Sequence, residues 1–590
     1  MCGIFGISGD DGVAKTLDAL SFLEYRGYDS AGLCYDDGKL NVVKTAGRVG
    51  KLRGMVGECV SCRSAIGHTR WATHGEVCEQ NAHPFVSNDG NFAIVHNGII
   101  ENHVSLRQEL VRQGYVFSSQ TDSETVVHLL QKYYCGSVLD AVCKTAQRLK
   151  GAFAVVVQNL HDGCLYAVKQ RSSLCVGDCN GRFALSSDVR CLPFASKVAF
   201  CDDGCVVRIE GSNVEFFNFK GEQISVPFQN NLFTGQECTA NGDVMLNEIM
   251  QIPQALLRVA DGYGRSGGIK DLPVGFLRKV NRIYFLGCGT AYNSGLAACA
   301  VARKLLNVDV IPVVASEYAC GNYPADAHTL AFCISQSGET ADTLLAAERV
   351  KAQGGVTCAV TNTVVSALAN TCHICIDVFA GGEFSVASTK AYNCQLATLV
   401  LALADIASSC GLAEGDLSER LRCELTKTAA AVEQVLQNKG KMQQLAAQVK
   451  SASAVFFIGR GRDYPIAAEA SLKLKEISYV HSEAYPAGEL KHGTLALMER
   501  GVYTVAICTD CSLLAKVDNA ASEVTARGAT VVFVSPYKRG GLSFTLPVTH
   551  EYFSGVLSVV PLQLLAYYTA KKLGNDVDRP RNLAKSVTVE

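Results

Sequence analysis

RIYFLGCGTAYNSGLAA, starting at Arg282, and AVFFIGRGRDYPIAAEA, starting at Ala454, are built alike: an apolar strand, a Gly-x-Gly turn and a helix. The turns fall at Gly287/Gly289 and Gly459/Gly461, and related segments, VVASEY and VHSEAY, follow downstream. Glycine at both positions lets the chain turn tightly from strand into helix. Strand, crossover helix and strand in succession demand a parallel sheet covered on both faces. Repetition of the unit therefore predicts two homologous α/β lobes.

The preceding part follows a different grammar. NFAIVHNGII, AFAVVVQNL, CLYAVKQ, RFALSSD and CVVRIEG read as short strands, with helical patterns such as SETVVHLLQKYY between them, which predicts an α+β domain rich in antiparallel pairing. A polar stretch, FTGQECTANGD, then leads into VMLNEIMQIPQALLRVA, whose apolar residues recur at helical spacing. With 590 residues the chain exceeds one core. The expected limits are 1–225 for the first domain, 226–270 for a linker and connecting helix, 271–415 for one lobe and 416–590 for the other with the C-terminal tail.

Charge and composition narrow the function classes. A net charge of −2 and the lack of a Lys/Arg run argue against a nucleic-acid partner. LATLVLALA from Leu396 and GVLSVVPLQLLA from Gly555 are shorter than the ~20 residues a bilayer needs and read as core helices. No basic start with an apolar run precedes Cys2, so the expectation is a cytoplasmic protein with no membrane partner. The 26 cysteines include CxxC at Cys59/Cys62, Cys372/Cys375 and Cys508/Cys511, too scattered for a zinc site, so neither metal nor cofactor is expected.

The chain starts MCGIFGI. Removal of Met1 would leave Cys2 with a thiol and a free α-amine, and an amine titrating near ~8 can take the proton of a thiol titrating near ~8.5. Three other stretches suit an amino acid with a side-chain amide. GHTRWATHG carries Arg70, a planar fork for an α-carboxylate, beside Thr73 and His74, and TDSET carries Asp122 for an α-ammonium. VHNGII carries Asn97 and Gly98, donors suited to an oxyanion, although Asn-Gly between apolar runs is also the commonest hairpin signal.

CGIFGI, LEYRGYDSAG, GHTRWATHG, HNGIIEN and TDSE, in this order, resemble the glutaminase domain of class II amidotransferases. The resemblance implies an N-terminal nucleophile domain with an αββα sandwich fold. It implies Cys2 as nucleophile, its amine as base, Asn97 and Gly98 as oxyanion hole, and glutamine held by Arg70, Trp71, Thr73, His74 and Asp122. It also implies an apolar ammonia channel gated by a tryptophan, and Trp71 is the chain's one Trp.

Farther on, AFCISQSGETADTLLAAERV reads as strand, hydroxyl-rich turn and helix. Ser335, Ser337, Thr340 and the backbone near Gly338 suit a phosphate at a helix N-terminus, or equally an ordinary helix cap. There is no Gly-Lys-Ser/Thr of a nucleotide loop. Lys473 and Glu476 lie three apart on one helical face, a spacing usual for surface ion pairs. PRNLAKSVTVE has the look of a frayed tail, except that a desolvated lysine such as Lys585 can form a Schiff base.

Together CGT, SQSGET, VASTKAY, LKLKEISY, AGELKHG and DVDRPRNLAKSVTVE resemble the family of isomerising glutamine:fructose-6-phosphate aminotransferases over nearly the whole chain. The implied lobes are two SIS (sugar isomerase) domains of flavodoxin-like α/β topology. By position, Ser335, Gln336, Ser337 and Thr340 would hold the phosphate of fructose 6-phosphate. Thr290, Val386, Ala387, Ser388 and Ala584 would line the sugar. Lys585 would be the Schiff-base lysine, Glu476 the base that moves a proton from C1 to C2, Lys473 its electrostatic support and His492 the ring-opening acid/base. In relatives that histidine comes from a partner subunit, so a homodimer or homotetramer is expected. Where relatives usually carry serine after CGT this chain has Ala291, worth one neutral hydrogen bond of about 0.5–1.5 kcal/mol.

Two other readings compete. An amidotransferase acting on phosphoribosyl pyrophosphate would need paired acids after an apolar strand, where this chain has SQSGET. A phosphosugar sensor with a vestigial glutaminase would bind without turnover, and the joint presence of Cys2, Glu476, His492 and Lys585 opposes it.

Overall fold

The computed structural model describes residues 2–57, 60–72, 74–231, 243–265 and 268–588. The polar linker at 232–242, Thr73 and Cys59 lie outside the described residues. The chain forms two compact units, Met1–Glu237 with Ser586–Glu590, and Cys238–Lys585.

The first unit has two antiparallel sheets of eight and seven strands. Strand alternation decides what each face touches. Along Phe92–Ile100, Phe92 and Ile94 join the core beneath the helices, whereas Ala93 and Val95 join the core between the sheets. The neighbouring strand Gly151–Asn159 divides in the same way, Phe153, Val155 and Val157 to the helices and Ala154 and Val156 to the opposite sheet. Both faces are apolar, so these strands read as continuous runs. Helices His103–Arg112, Glu124–Tyr133 and Val138–Arg148 cover one sheet. Helix Gly12–Leu23 covers the other so closely that a Cβ on Gly67 would come within 2.4 Å of Thr16. The layers are thus αββα.

Strand Gly3–Ser8 sits inside the eight-stranded sheet, between Phe183–Ser186 and Ser64–Arg70, with Gly3 opposite Thr69. This pairing places Cys2 at the end of the Arg70 strand. Behind it, the buried side chains of Tyr25, Arg26 and Arg190 converge on Asp188, with Arg26 Nη2 3.1 Å and Arg190 Nη2 2.7 Å from its Oδ2. The two guanidiniums outweigh burial and hold the Asp188 carboxyl well below the usual range.

The second unit holds two parallel five-stranded sheets of identical order. In each, the first strand, Arg282–Gly287 or Ala454–Gly459, lies second in the sheet. The next strand, Asp309–Val314 or Ser482–Pro486, is on its outer side, and the remaining three follow in sequence. Gly289 and Gly461 both have positive φ, +53° and +58°, so the repeated turn needs glycine at its second position in both lobes. One apolar core joins the lobes, running through helices Gly289–Leu305, Lys390–Ser409, Tyr464–Ser478 and Ser554–Lys572.

Two expectations change, the length of the apolar runs, which remain core helices, and the single connecting helix. The two apolar runs belong to helices long and apolar enough by composition to cross a membrane, but 94% and 89% of their most apolar windows are buried inside the unit. VMLNEIMQIPQALLRVA forms two helices, Val244–Met250 and Ile252–Arg265. Pro253 has no N–H to continue the first helix and suits the opening turn of the second. The lobes also differ at the mouth of the repeated turn. Asp463, at the position of Ala291, accepts hydrogen bonds from Thr509 N at 2.8 Å and Thr509 Oγ1 at 2.6 Å.

Candidate active site

In the first unit Cys2 is half-buried, and its Sγ accepts from Trp71 N at 3.3 Å and faces Trp71 O at 3.6 Å. Burial pushes the thiol's pKa up. Asn97 Nδ2 donates to Cys2 O at 3.0 Å, so an amide donor reaches the residue that carries the thiol. Gly98 has φ +126°, and a Cβ there would lie 2.0 Å from Ala152 O, so only glycine fits beside Asn97. The Asn-Gly pair is therefore no hairpin turn, because it lies within the strand Phe92–Ile100, opposite Ala154 and Phe153.

Arg70 ends its strand buried, with its guanidinium donating to the carbonyls of His74, Gly75 and Glu76. Asp122 is buried too, and its Oδ2 accepts from Ile100 N at 2.8 Å. Trp71 meets Tyr28 edge to face at 5.8 Å, and His74 meets His103 at 5.3 Å. Asp29 secures the segment after Trp71, its Oδ2 accepting from Ala72 N at 2.9 Å.

In the second unit the Lys585 side chain is 2% exposed and pairs with Glu383, itself fully buried. This is no frayed tail. Glu383 also accepts from Ser388 Oγ at 2.8 Å and from the amides of Thr389 and Ala391, each at 3.0 Å. Burial drives Glu383 towards neutrality, but Lys585 and the two amides outweigh it and hold the pKa at about 2. A second carboxyl, Glu248, binds the 384–385 backbone and Ser385 Oγ, and burial followed by repulsion from Glu383 pushes it up to about 7. Val386 N donates to Asp578 O at 3.0 Å, Ala387 O accepts from Ser385 Oγ at 3.0 Å, and Ala584 is half-buried.

Lys473 is 1% exposed, which overturns the surface-pair reading. Its Nζ lies 2.6 Å from Glu476 Oε2 and 3.6 Å from Glu469 Oε1. Burial opposes the ammonium, but Glu476 and Glu469 outweigh it and raise the Lys473 pKa. Burial pushes Glu469 up to about 7, where it accepts from Thr290 Oγ1 at 3.1 Å and Asn293 Nδ2 at 2.8 Å. The acidic helix face of one lobe thus touches the turn of the other.

The hydroxyl-rich turn is closed on itself. Ser335 Oγ lies 2.9 Å from Thr340 Oγ1 and accepts from Gly338 N at 3.0 Å, while Ser337 Oγ accepts from Glu339 N at 3.2 Å. Gln336 Oε1 is buried without a partner. Gly338 has φ +67°, and a Cβ there would lie 1.9 Å from Ser366 Oγ. Gly338→Ala is therefore expected to raise the KM for a phosphosugar about tenfold, from backbone strain of about 1–3 kcal/mol, without changing glutamine hydrolysis. Steady-state kinetics on both substrates tests it.

His492 is not brought to this cluster's hydrogen bonds; it stands exposed in the turn Glu489–His492. The sequence reading also missed His68, Glu248, Glu383 and Glu469. Glu469 had a local signal, since it shares a helical face with Lys473 and Glu476, and so had His68, which lies in GHTRWATHG with Arg70.

Comparison with known proteins fits this pair of centres. The glutamine amidotransferase domain family matches residues 68–193, and the SIS domain family matches 276–404 and 448–570. The glutamine–fructose-6-phosphate aminotransferases (isomerizing) of Caldanaerobacter subterraneus and Aquifex aeolicus are 40% and 38% identical to this chain, each alignment covering 100% of both chains. A solved structure, the C-terminal domain of glucosamine-fructose-6-phosphate aminotransferase from Francisella tularensis, is 32% identical with TM-score 0.55 and covers 58% of this chain and 100% of its own. The class is that of glutamine amidotransferases carrying a pair of SIS domains. Within it, the chain belongs to the isomerising glutamine–fructose-6-phosphate aminotransferase family.

Proposed function

We propose that the protein transfers the amide nitrogen of glutamine to fructose 6-phosphate and isomerises the product to glucosamine 6-phosphate, releasing glutamate. This is the first committed step towards UDP-N-acetylglucosamine. The observation that carries the reading is the pairing of two centres in one chain: Cys2 bonded to Asn97, and Lys585 buried on Glu383 beside Ser388.

At the first centre the Cys2 thiol, held protonated by burial, passes its proton to the α-amine freed by loss of Met1 and attacks the amide carbon. Asn97 and the Gly98 amide receive the oxyanion. Arg70 exchanges backbone carbonyls for the substrate carboxylate, Asp122 takes the ammonium, and Trp71, Thr73 and His74 complete the pocket. The Cys2 α-ammonium returns its proton to the amide nitrogen, the C–N bond breaks with departure of ammonia, and water then releases glutamate from the thioester.

At the second centre Ser335, Gln336, Ser337 and Thr340 take the phosphate, and Thr290, Val386, Ala387, Ser388 and Ala584 line the sugar. Lys585 gives its proton to Glu383, attacks the C2 ketone and expels water, and ammonia then displaces it. Glu476, steadied by Lys473, moves the proton from C1 to C2. His492 opens the ring, and its exposure supports its serving a second copy in a homodimer or homotetramer. The same reading takes the domain limits as 1–225, 271–415 and 416–590, joined by 226–270, and places the protein in the cytoplasm with neither nucleic acid nor membrane as partner.

The direct test is to weigh the purified protein, with no added N-terminal residues, for loss of Met1 and to assay it with glutamine and fructose 6-phosphate. Absence of glucosamine 6-phosphate would reject the proposal. As gate to ammonia, Trp71 has its own test: Trp71→Ala is expected to raise the ratio of glutamate released to aminosugar formed well above one. An unchanged ratio removes that role.

A further inference from the structure

An oxyanion donor at Asn97 works only if the nitrogen of its amide, and not the oxygen, faces Cys2, and the two ends are nearly equal in size. A buried ring behind the amide decides which end it is. His68 lies on the strand Ser64–Arg70, opposite Ile4, and its Nε2 is 2.9 Å from His96 O and 3.1 Å from Asn97 Oδ1. A backbone carbonyl can only accept, so Nε2 must carry the proton. The Asn97 atom that shares this proton must then be oxygen, since an NH₂ would set two donors face to face. Nδ2 is left pointing the other way, 3.0 Å from Cys2 O.

The ring is itself fixed. His68 stacks on His83 with centroids 4.0 Å apart, and His83 Nδ1 accepts from His96 N at 3.2 Å. His96 Nδ1 is 2.8 Å from Ser123 Oγ, which donates to Asp122 Oδ1 at 3.3 Å. The histidines thus run from the oxyanion donor to the carboxylate assigned to the substrate ammonium. Burial, with a contribution from His96, holds the His68 pKa at about 3, so the ring stays neutral.

We propose that His68 is a positioning residue for glutamine hydrolysis, which locks the Asn97 amide with its nitrogen towards Cys2. This rests on the reading of the Cys2 centre given above. His68 touches neither the thiol nor the substrate in this scheme and acts only through Asn97.

The test compares His68→Leu, similar in bulk but without a donor, with His68→Gln, whose amide can donate from about the same place. His68→Leu is expected to lower kcat for glutamine hydrolysis about ten- to a hundredfold, less than the 10²–10³ for deleting an oxyanion donor outright, with KM within about threefold. His68→Gln should recover most of the rate. Glutamate γ-semialdehyde, which forms a tetrahedral adduct with a thiol, should bind the Leu variant more weakly by the factor lost in kcat, whereas glutamate should bind unchanged. In an Asn97→Ala background His68→Leu should add nothing.

Should the Leu variant not fold, His68→Asn, polar but too short to reach Asn97, carries the same expectations. An unchanged kcat, losses that add in the double variant, or equal weakening of aldehyde and glutamate would overturn the proposal. If Cys2→Ala hydrolyses glutamine as fast as the wild type, the Cys2 centre itself is misassigned. If Cys2→Ala is inactive and His68→Leu is not impaired, only the role of His68 falls.

Discussion

Cys2→Ala is expected to cut glutamine hydrolysis by about 10⁴-fold or more while the protein still binds fructose 6-phosphate and still aminates it with added ammonia. The size of the loss follows from the surroundings. In the proposed scheme the thiol alone attacks, and the residues left would bind glutamine without attacking it. Folding should be almost untouched, because the half-buried thiol makes only two weak sulfur hydrogen bonds to Trp71. Isotope-labelled glutamine and a separate ammonia-driven assay distinguish these outcomes. Residual hydrolysis within tenfold of the wild type would mean that another group performs the attack. Loss of both activities would mean that the substitution disturbs more than the first centre.

Lys585→Ala should do the converse, lowering amination about 10³-fold or more while glutamine hydrolysis continues. It also carries a stability signature that a surface lysine would not. Glu383 is fully buried, and removing its partner leaves the charge with only Ser388 and two backbone amides to hold it, a loss of about 3–5 kcal/mol at neutral pH. The sign of the pH dependence follows from the depressed carboxyl. Glu383 holds at about 2 against an ordinary 4.5, so its contribution is complete above about 4.5 and disappears as pH falls towards 2. The deficit of Lys585→Ala relative to the wild type should therefore be widest near pH 7 and shrink below about pH 4.5. Denaturant melts at three pH values measure it. A deficit that does not change with pH would show that Glu383 does not depend on Lys585 for its charge.

Much of the architecture was legible because it is written locally. The apolar run that opens Phe92–Ile100 and glycine at 287, 289, 459 and 461 are features of a few consecutive residues, and each survives in the structure as a strand or a turn. The residues proposed for the glutamine site could be assembled from sequence because Arg70, Trp71 and His74 lie within five residues of one another. The remainder depended on contacts that no short window contains. Glu383 meets Lys585 across 202 positions. Lys473 and Glu476 have the spacing of a solvated pair, and only the packing of the folded unit makes Lys473 buried. His68 shares a motif with Arg70, but its task is visible only when the strand Phe92–Ile100 is laid against it.

The carboxylate at Asp463 gives the duplication a direction. By strand register Thr509 stands in the second lobe where Gln336 stands in the first, and there Asp463 already satisfies its amide and hydroxyl. The Thr509 donors are already taken by Asp463, so an incoming phosphate is expected to find fewer free donors in that copy. In the first lobe the matching position is Ala291, which brings no carboxyl to the turn, while the second lobe contributes Glu469, Lys473 and Glu476. Titration should accordingly find one ligand per polypeptide, a stoichiometry set by division of labour between sisters.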